Sequence, residues 1–167
     1  MKFKPAFVVA ALSLAVTSGV SAQSINLGVS ATVGAACVLA QTPIAFGVYN
    51  PTAPLALDAT GNLSLSCTTG STPNIAIGQG LSFSGGTRRM ASGTDFLNYS
   101  VFQPASNAAG AACAFLTAYP TTNPGFVLTA APNTTARIYN VCGRIPNGQT
   151  TVTSGNYADT VVATIAF

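Results

Sequence analysis

General acid–base chemistry needs a side chain that titrates near neutrality, and beyond residue 22 the chain has no His, no Lys and no Glu. Serine and threonine are plentiful. A hydroxyl nucleophile nevertheless needs a neighbouring base to take its proton, and neither His nor Lys is there to serve. The carboxylates are Asp58, Asp95 and Asp159. Asp58 and Asp159 stand beside turn-rich stretches, where a carboxylate ordinarily accepts local hydrogen bonds. Scattered in this way, the aspartates make no calcium loop. The paired charge in "GGTRRM", Arg88 and Arg89, fits a hairpin or a structural contact better than an anion or sugar site. No catalytic residue, metal or cofactor is expected, and the chain reads as something other than an enzyme.

The cysteines, Cys37, Cys67, Cys113 and Cys142, are the remaining reactive groups. Without His or C-x-x-C spacing they do not form a zinc set. An even number behind a leader segment reads as disulfides formed in an oxidising compartment. Four cysteines allow three pairings, and all remain open at this point. The pairing of neighbours, Cys37–Cys67 with Cys113–Cys142, closes two loops of similar length, each worth roughly 3–4 kcal/mol on a chain-entropy argument.

The leader is residues 1–22. Lys2 and Lys4 precede the apolar run "AFVVAALSLAV" (6–16), and "VSA" supplies small residues before Gln23. The run falls well short of the ~20 residues that span a bilayer, so a cleaved secretory signal is expected rather than an anchor. Beyond the leader lie roughly 145 residues, enough for one domain with its own core. Four arginines against three aspartates leave this portion nearly neutral. Nucleic-acid binding through phosphate contacts is excluded by that balance, and there is little charge to keep copies of the chain apart.

The elements that would carry any site are short strands. "SINLGVSATVGAAC" alternates without a break, placing Ile25, Leu27, Val29, Ala31 and Val33 on one face. "GNLSLSCTTG", "PNIAIGQGLSF", "FLNYSVFQP" and "ARIYNVCGRI" come next in turn, and the chain ends on "VVATIAF", with Val161, Ala163, Ile165 and Phe167 in register. Gly, Pro, Asn and Ser separate these runs at "YNPTAP", "SGGT", "TTNPG", "APNTT" and "IPNGQ". The stretch "QPASNAAGAACAFLTAYPTTNPG" (103–125) is the least regular and predicts a long loop or excursion. Seven or so short strands at this spacing predict an all-β, antiparallel β-sandwich of one domain.

The first and last runs are the unusual ones. An exposed apolar edge strand invites aggregation and is normally blunted by Lys, Pro or a bulge, and neither terminal run carries such a device. Either the two pair within one chain and close the sandwich, or the first run of one copy covers the last run of another. In the second case, burying Ile25, Leu27, Val29 and Val33 would contribute roughly 6–12 kcal/mol before ordering costs. Such a contact runs head to tail and builds a filament.

The stretches "AACVLAQTPIAFGVYNP", "GNLSLSCTTG", "TRRMASGTDFLNYSVF" and "GRIPNGQTTVTSGNYADTVVATIAF" cover most of residues 35–167. Together they resemble the spore coat protein U domain family, which includes the pilins of archaic (Csu-type) chaperone–usher pili. The resemblance implies an incomplete immunoglobulin-like sandwich that lacks its last strand. A periplasmic chaperone would lend that strand, and the extension of the next subunit would replace it at an outer-membrane usher. It implies an extension at 23–34 acting as donor through Ile25, Leu27, Val29, Ala31 and Val33. The pilin domain would occupy 35–167, with Val161, Ala163, Ile165 and Phe167 along the acceptor groove. The implied product is a cell-surface pilus supporting adhesion and biofilm formation. A secreted sugar-binding module is the rival reading. It is disfavoured by the absence of Trp and by tyrosines that fall within strand-like runs.

Amino-terminal sequencing of the exported protein is expected to begin at Gln23. A mature protein that still begins at Met1 would show the leader to be retained.

Overall fold

Alternate leucines build the middle of the larger sheet. Leu63, Leu65 and Cys67 are buried, and Ser64 and Ser66 between them are half-buried, in a computed structural model that describes residues 23–167. The leader expected over 1–22 lies outside the described residues. Nine strands form among them: β1 (Cys37–Thr42), β2 (Leu57–Cys67), β3 (Asn74–Ile77), β4 (Arg88–Ser92), β5 (Asp95–Pro104), β6 (Cys113–Ala118), β7 (Phe126–Val127), β8 (Arg137–Ile145) and β9 (Ala163–Ala166). Every pairing is antiparallel. The larger sheet runs β1-β2-β8-β5-β4, with β6 also on β5; the smaller runs β7-β3-β9. No helix among the described residues is long and apolar enough to cross a membrane.

Residues 33–167 form one compact unit. Its core draws Leu63 and Leu65 from β2, Leu97, Tyr99 and Val101 from β5, and Tyr139, Val141 and Ile145 from β8; the smaller sheet adds Ile75 and Ile77 from β3. The fold is an antiparallel β-sandwich, as the spacing of short apolar runs predicts, of the immunoglobulin-like kind that the family resemblance implies. Of the three possible cysteine pairings the structure has the local one. Cys37–Cys67 joins directly opposed residues of β1 and β2, and Cys113–Cys142 ties β6 to β8.

Two expectations differ from what is observed. The segment 103–125 is not a plain loop, because β6 lies inside it, paired to β5. Its period is hidden by a register shift between Phe102 and Pro104 and by Phe115, which sits in the left-handed region at φ 53°. The alternating run 25–33 is extended in pattern yet belongs to no strand, since a strand exists only where a second backbone pairs with it.

Between β1 and β2 the chain crosses the inner face of the larger sheet, and two glycines admit it. A Cβ on Gly61 would stand 2.7 Å from the Thr42 carbonyl oxygen and 2.9 Å from Ile44 Cγ1. One on Gly143 would stand 2.6 Å from Ile44 Cγ2 and 2.7 Å from Phe46 Cζ. Ile44 and Phe46 therefore lie flat on the sheet only because β2 and β8 are bare beneath them. Phe46 then meets Tyr99 edge to face, ring centroids 6.3 Å apart.

Gly143→Ala is expected to push Ile44 and Phe46 off the sheet and to cost about 1–3 kcal/mol, the usual range for overpacking. Denaturant unfolding of the variant against the parent protein checks this. An unchanged midpoint would mean the crossing segment adapts freely.

Candidate functional site

The last strand of the smaller sheet has one neighbour. β9 pairs through Ala163, Thr164, Ile165 and Ala166 with Ile77, Ala76, Ile75 and Asn74 of β3, and among the described residues no strand lies on its other side. Alternation decides which side chains meet the core. Val161, Ala163 and Ile165 pack against it and are only partly buried, whereas Val162 and Phe167 are exposed. The alternating run thus places Val161, Ala163 and Ile165 together on the inner face of the edge. Val161 and Phe167 fall outside the paired strand, and Phe167 is 59% exposed.

The open strand is nonetheless held firmly on its closed side. Asn74 Nδ2 donates to the Ala166 carbonyl at 3.2 Å, and the Gly78 amide donates to that of Val162 at 2.8 Å. Just upstream, Ala91 and Ala158 exchange backbone hydrogen bonds at 2.8 and 3.1 Å, joining the run to β4. Asp159 is a junction. Its Oδ2 accepts from Tyr99 Oη at 2.7 Å and its Oδ1 from the Leu81 amide at 2.9 Å. Burial, with that hydrogen bond and the carboxylate charge, pushes the Tyr99 phenol well above the usual range, so it stays a donor. Arg88 donates from Nε to the Gly78 carbonyl at 3.0 Å and from Nη2 to that of Ile77 at 2.5 Å, which fixes the chain as it leaves β3. Burial lowers the Arg88 pKa, while Tyr99 and Asp159 offset part of that shift.

The crossing segment between β1 and β2 also borders the core. Ile44, Phe46 and Tyr49 turn toward the core and are partly buried, while Ala45, Gly47 and Val48 face out, Val48 being 93% exposed. From Ile44 to Gly47 the burial alternates as in a strand, but the segment belongs to no sheet. Tyr49 Oη donates to the Pro146 carbonyl at 2.9 Å and accepts from the Gln149 amide at 3.1 Å, which anchors the end of the segment. Between this segment and residues 152–157 lies a cavity of about 610 Å³, lined by Phe46, Tyr49, Met90, Leu97, Val152 and Tyr157 among others. Its surface is that of an unfinished core. No residue of β9 is among those that line it.

The other residues singled out by type have structural partners. Arg89 donates from Nε to the Ser82 carbonyl at 2.8 Å and lies 4.0 Å over the Phe96 ring. Asp58 accepts both arms of Arg144, at 2.6 and 2.8 Å, and this hydrogen bonding raises the Arg144 pKa. Asp95 accepts from Thr153 Oγ1. Among the described residues no three His, Cys, Asp or Glu side chains converge to hold a metal. The run expected to act as a donor is extremely open, with Ile25, Leu27, Val29 and Val33 exposed by 94, 87, 88 and 83% and Ala31 exposed as well. Sequence reasoning missed the crossing segment. Its signal, the alternation of Ile44 and Phe46, is only two residues long, begins just after Pro43 and breaks at Val48.

Residues 23–164 match the Spore Coat Protein U domain. "Protein U" of Myxococcus xanthus is 35% identical in an alignment covering 100% of this chain and 98% of that protein. Among solved structures, the fold is similar to one in the crystal structure of the CsuC–CsuE chaperone–tip adhesion subunit pre-assembly complex from archaic chaperone–usher Csu pili of Acinetobacter baumannii. The TM-score is 0.58 at 22% identity, over 81% of this chain and 40% of that one, so the chain spans about two fifths of the solved chain. By family match and by full-length similarity, the chain belongs to the Spore Coat Protein U domain family.

Proposed function

We propose that this protein is a structural subunit of a chaperone–usher pilus, and that it polymerises by inserting residues 23–34 of one copy into the open sandwich, residues 35–167, of the next. The observation that carries this reading is the free edge of β9 beside a half-covered core. A sheet edge of this kind, apolar on its inner face and without Lys or Pro, is a template for another backbone. The exposed run 25–33 has the matching period and the same apolar character.

In this reading Ile25, Leu27, Val29, Ala31 and Val33 fill the groove between Val161, Ala163 and Ile165 on one side and Ile44, Phe46 and Tyr49 on the other. Phe167 caps the end of the edge. A subunit released with that groove empty would expose it to every neighbour, so a periplasmic chaperone covers the groove until an outer-membrane usher hands the subunit on. The finished polymer stands on the cell surface, where it supports adhesion and biofilm formation. The role is structural. Beyond residue 22 the chain has no His, Lys or Glu, and each aspartate has a structural hydrogen-bond partner.

Co-expression with the cognate chaperone and usher, followed by gel electrophoresis in SDS with and without boiling, tests this. The parent protein is expected to give an unheated ladder that collapses to monomer on boiling. A variant lacking residues 24–33 is expected to give no ladder alone, yet to shorten the parent's ladder when mixed with it, because it can still accept a strand. A stable monomer from both proteins, folded without a chaperone, would sink the proposal.

A further inference from the structure

β4 and β6 share one edge of β5 and leave a gap between them. β4 pairs with β5 from Asp95 to Tyr99 and β6 pairs with it from Phe102 to Pro104, while β8 covers Ser100 to Phe102 from the other side. At this gap lies a cavity of about 340 Å³, bounded by Ser100, Val101 and Phe102 of β5, by Tyr119 and Thr121 just after β6, and by the turn that leads into β4. That volume falls at the small end of the ~300–1,000 Å³ range of small-molecule sites. Backbone contacts hold its frame. The Tyr119 amide donates to the Val101 carbonyl at 2.9 Å, and Ser84 and Thr87 exchange backbone hydrogen bonds at 3.1 and 3.0 Å across Gly85 and Gly86. Both glycines have positive φ, 58° and 81°, as a two-residue hairpin turn demands.

Arg88 is the one charged residue in the lining, and its charge has no counter-ion. The side chain is buried, with Nε and Nη2 taken up by the Gly78 and Ile77 carbonyls; Nη1 has no partner among the described residues. All three carboxylates of the chain are engaged elsewhere: Asp58 by Arg144, Asp95 by Thr153, and Asp159 by Tyr99 and the Leu81 amide. None of them lines the cavity. A buried cation left with carbonyls alone is costly, and an anion beside it offsets the desolvation.

The rest of the lining selects the kind of anion. Gln79, Thr87, Ser100 and Thr121 bring amide and hydroxyl groups, and none of these side chains hydrogen-bonds to another part of the described protein. Phe83, Phe102 and Tyr119 bring three aromatic rings to the same space. A guanidinium fork suits a planar carboxylate. Uncommitted donors and acceptors suit hydroxyls, and ring faces suit the C–H surface of a sugar. Inorganic phosphate would use the guanidinium alone, and a fatty acid would leave the polar groups unpaired.

We infer that this cavity binds an acidic sugar of the hexuronate class, with its carboxylate on Arg88 and its hydroxyls on Gln79, Thr87, Ser100 and Thr121. Arg88 then serves twice, tying down the exit of β3 and meeting the ligand. No residue of β9 or of the run 23–34 lines the site, so it stands apart from the polymer reading.

Equilibrium dialysis of the assembled, exported protein against radiolabelled glucuronate tests this, with glucose as the neutral probe and acetate as the probe without a ring. Glucuronate is expected to bind about tenfold more tightly than either, the worth of one charge-assisted contact. Equal retention of glucose would remove Arg88 from the site, and equal retention of acetate would remove the hydroxyl contacts. Either result overturns the inference, as does no retention of glucuronate. Arg88→Gln is expected to abolish the preference for glucuronate over glucose. Because Arg88 also holds β3, a second variant decides should this one fail to fold. Gln79 and Thr121 are exposed, with no side-chain hydrogen bond in the fold to lose. The double change Gln79→Ala with Thr121→Val is expected to weaken glucuronate about tenfold while the unfolding midpoint stays that of the parent. Parent-like glucuronate binding in this double variant would overturn the inference.

Discussion

The four-residue ladder between β3 and β9 is the interaction on which the rest depends. It carries the chain's last apolar run across to the smaller sheet and turns Val161, Ala163 and Ile165 inward. Without it the lower side of the core would consist of β3 and the very short β7. The ladder is reinforced where it is weakest. Asn74 holds its far end, Arg88 fixes the exit of β3, and Asp159 joins Tyr99 to the Leu81 turn just before β9 begins. One side of the strand is thus over-determined and the other left bare, which is the arrangement expected of a surface meant for a second backbone.

The same economy explains the sparse charge. Asp58 with Arg144 is a half-exposed, two-armed pair across β2 and β8, a geometry worth more than a single surface contact but still modest. Arg88, Arg89 and Arg137 donate mainly to carbonyls of loops and strand ends rather than to carboxylates. The guanidinium fork suits that task, since it satisfies several orphan carbonyls from one side chain. Polar chemistry in this protein organises turns. What the edge of β9 leaves uncovered is apolar surface and backbone.

Much of this was legible in the sequence, and the illegible parts have physical causes. Leu63, Leu65 and Cys67, like Tyr139 and Val141, announce their strands because one face is packed and the other is wet. β6 was hidden because Phe115 and the adjoining register shift break the period, and because its place is fixed by a disulfide to β8 rather than by alternation. The crossing segment at Ile44 and Phe46 was hidden for a different reason. What seats it is the absence of side chains at Gly61 and Gly143, far along the chain, and no local pattern reports a contact made by a missing atom. The run at 25–33 was read as a strand from its alternation, yet among the described residues no strand pairs with it. Periodicity records which face a segment will bury; it does not record which molecule supplies the partner.

The position of the first disulfide has a mechanical meaning. In the proposed fibre, tension on a subunit arrives through its extension, a few residues before Cys37, and leaves through the edge of β9. Pulled from that end, β1 would peel from β2 one pair at a time, beginning at Cys37 opposite Cys67, the weakest way to load a ladder. The Cys37–Cys67 bond closes that first pair covalently. Force therefore bypasses β1 and enters β2 directly, the eleven-residue strand that lies alongside β8 through nine paired positions. There the load is shared as shear across many hydrogen bonds at once. The bond that looks like a staple for a small secreted domain is, in a filament, the rivet at which each link takes up the strain.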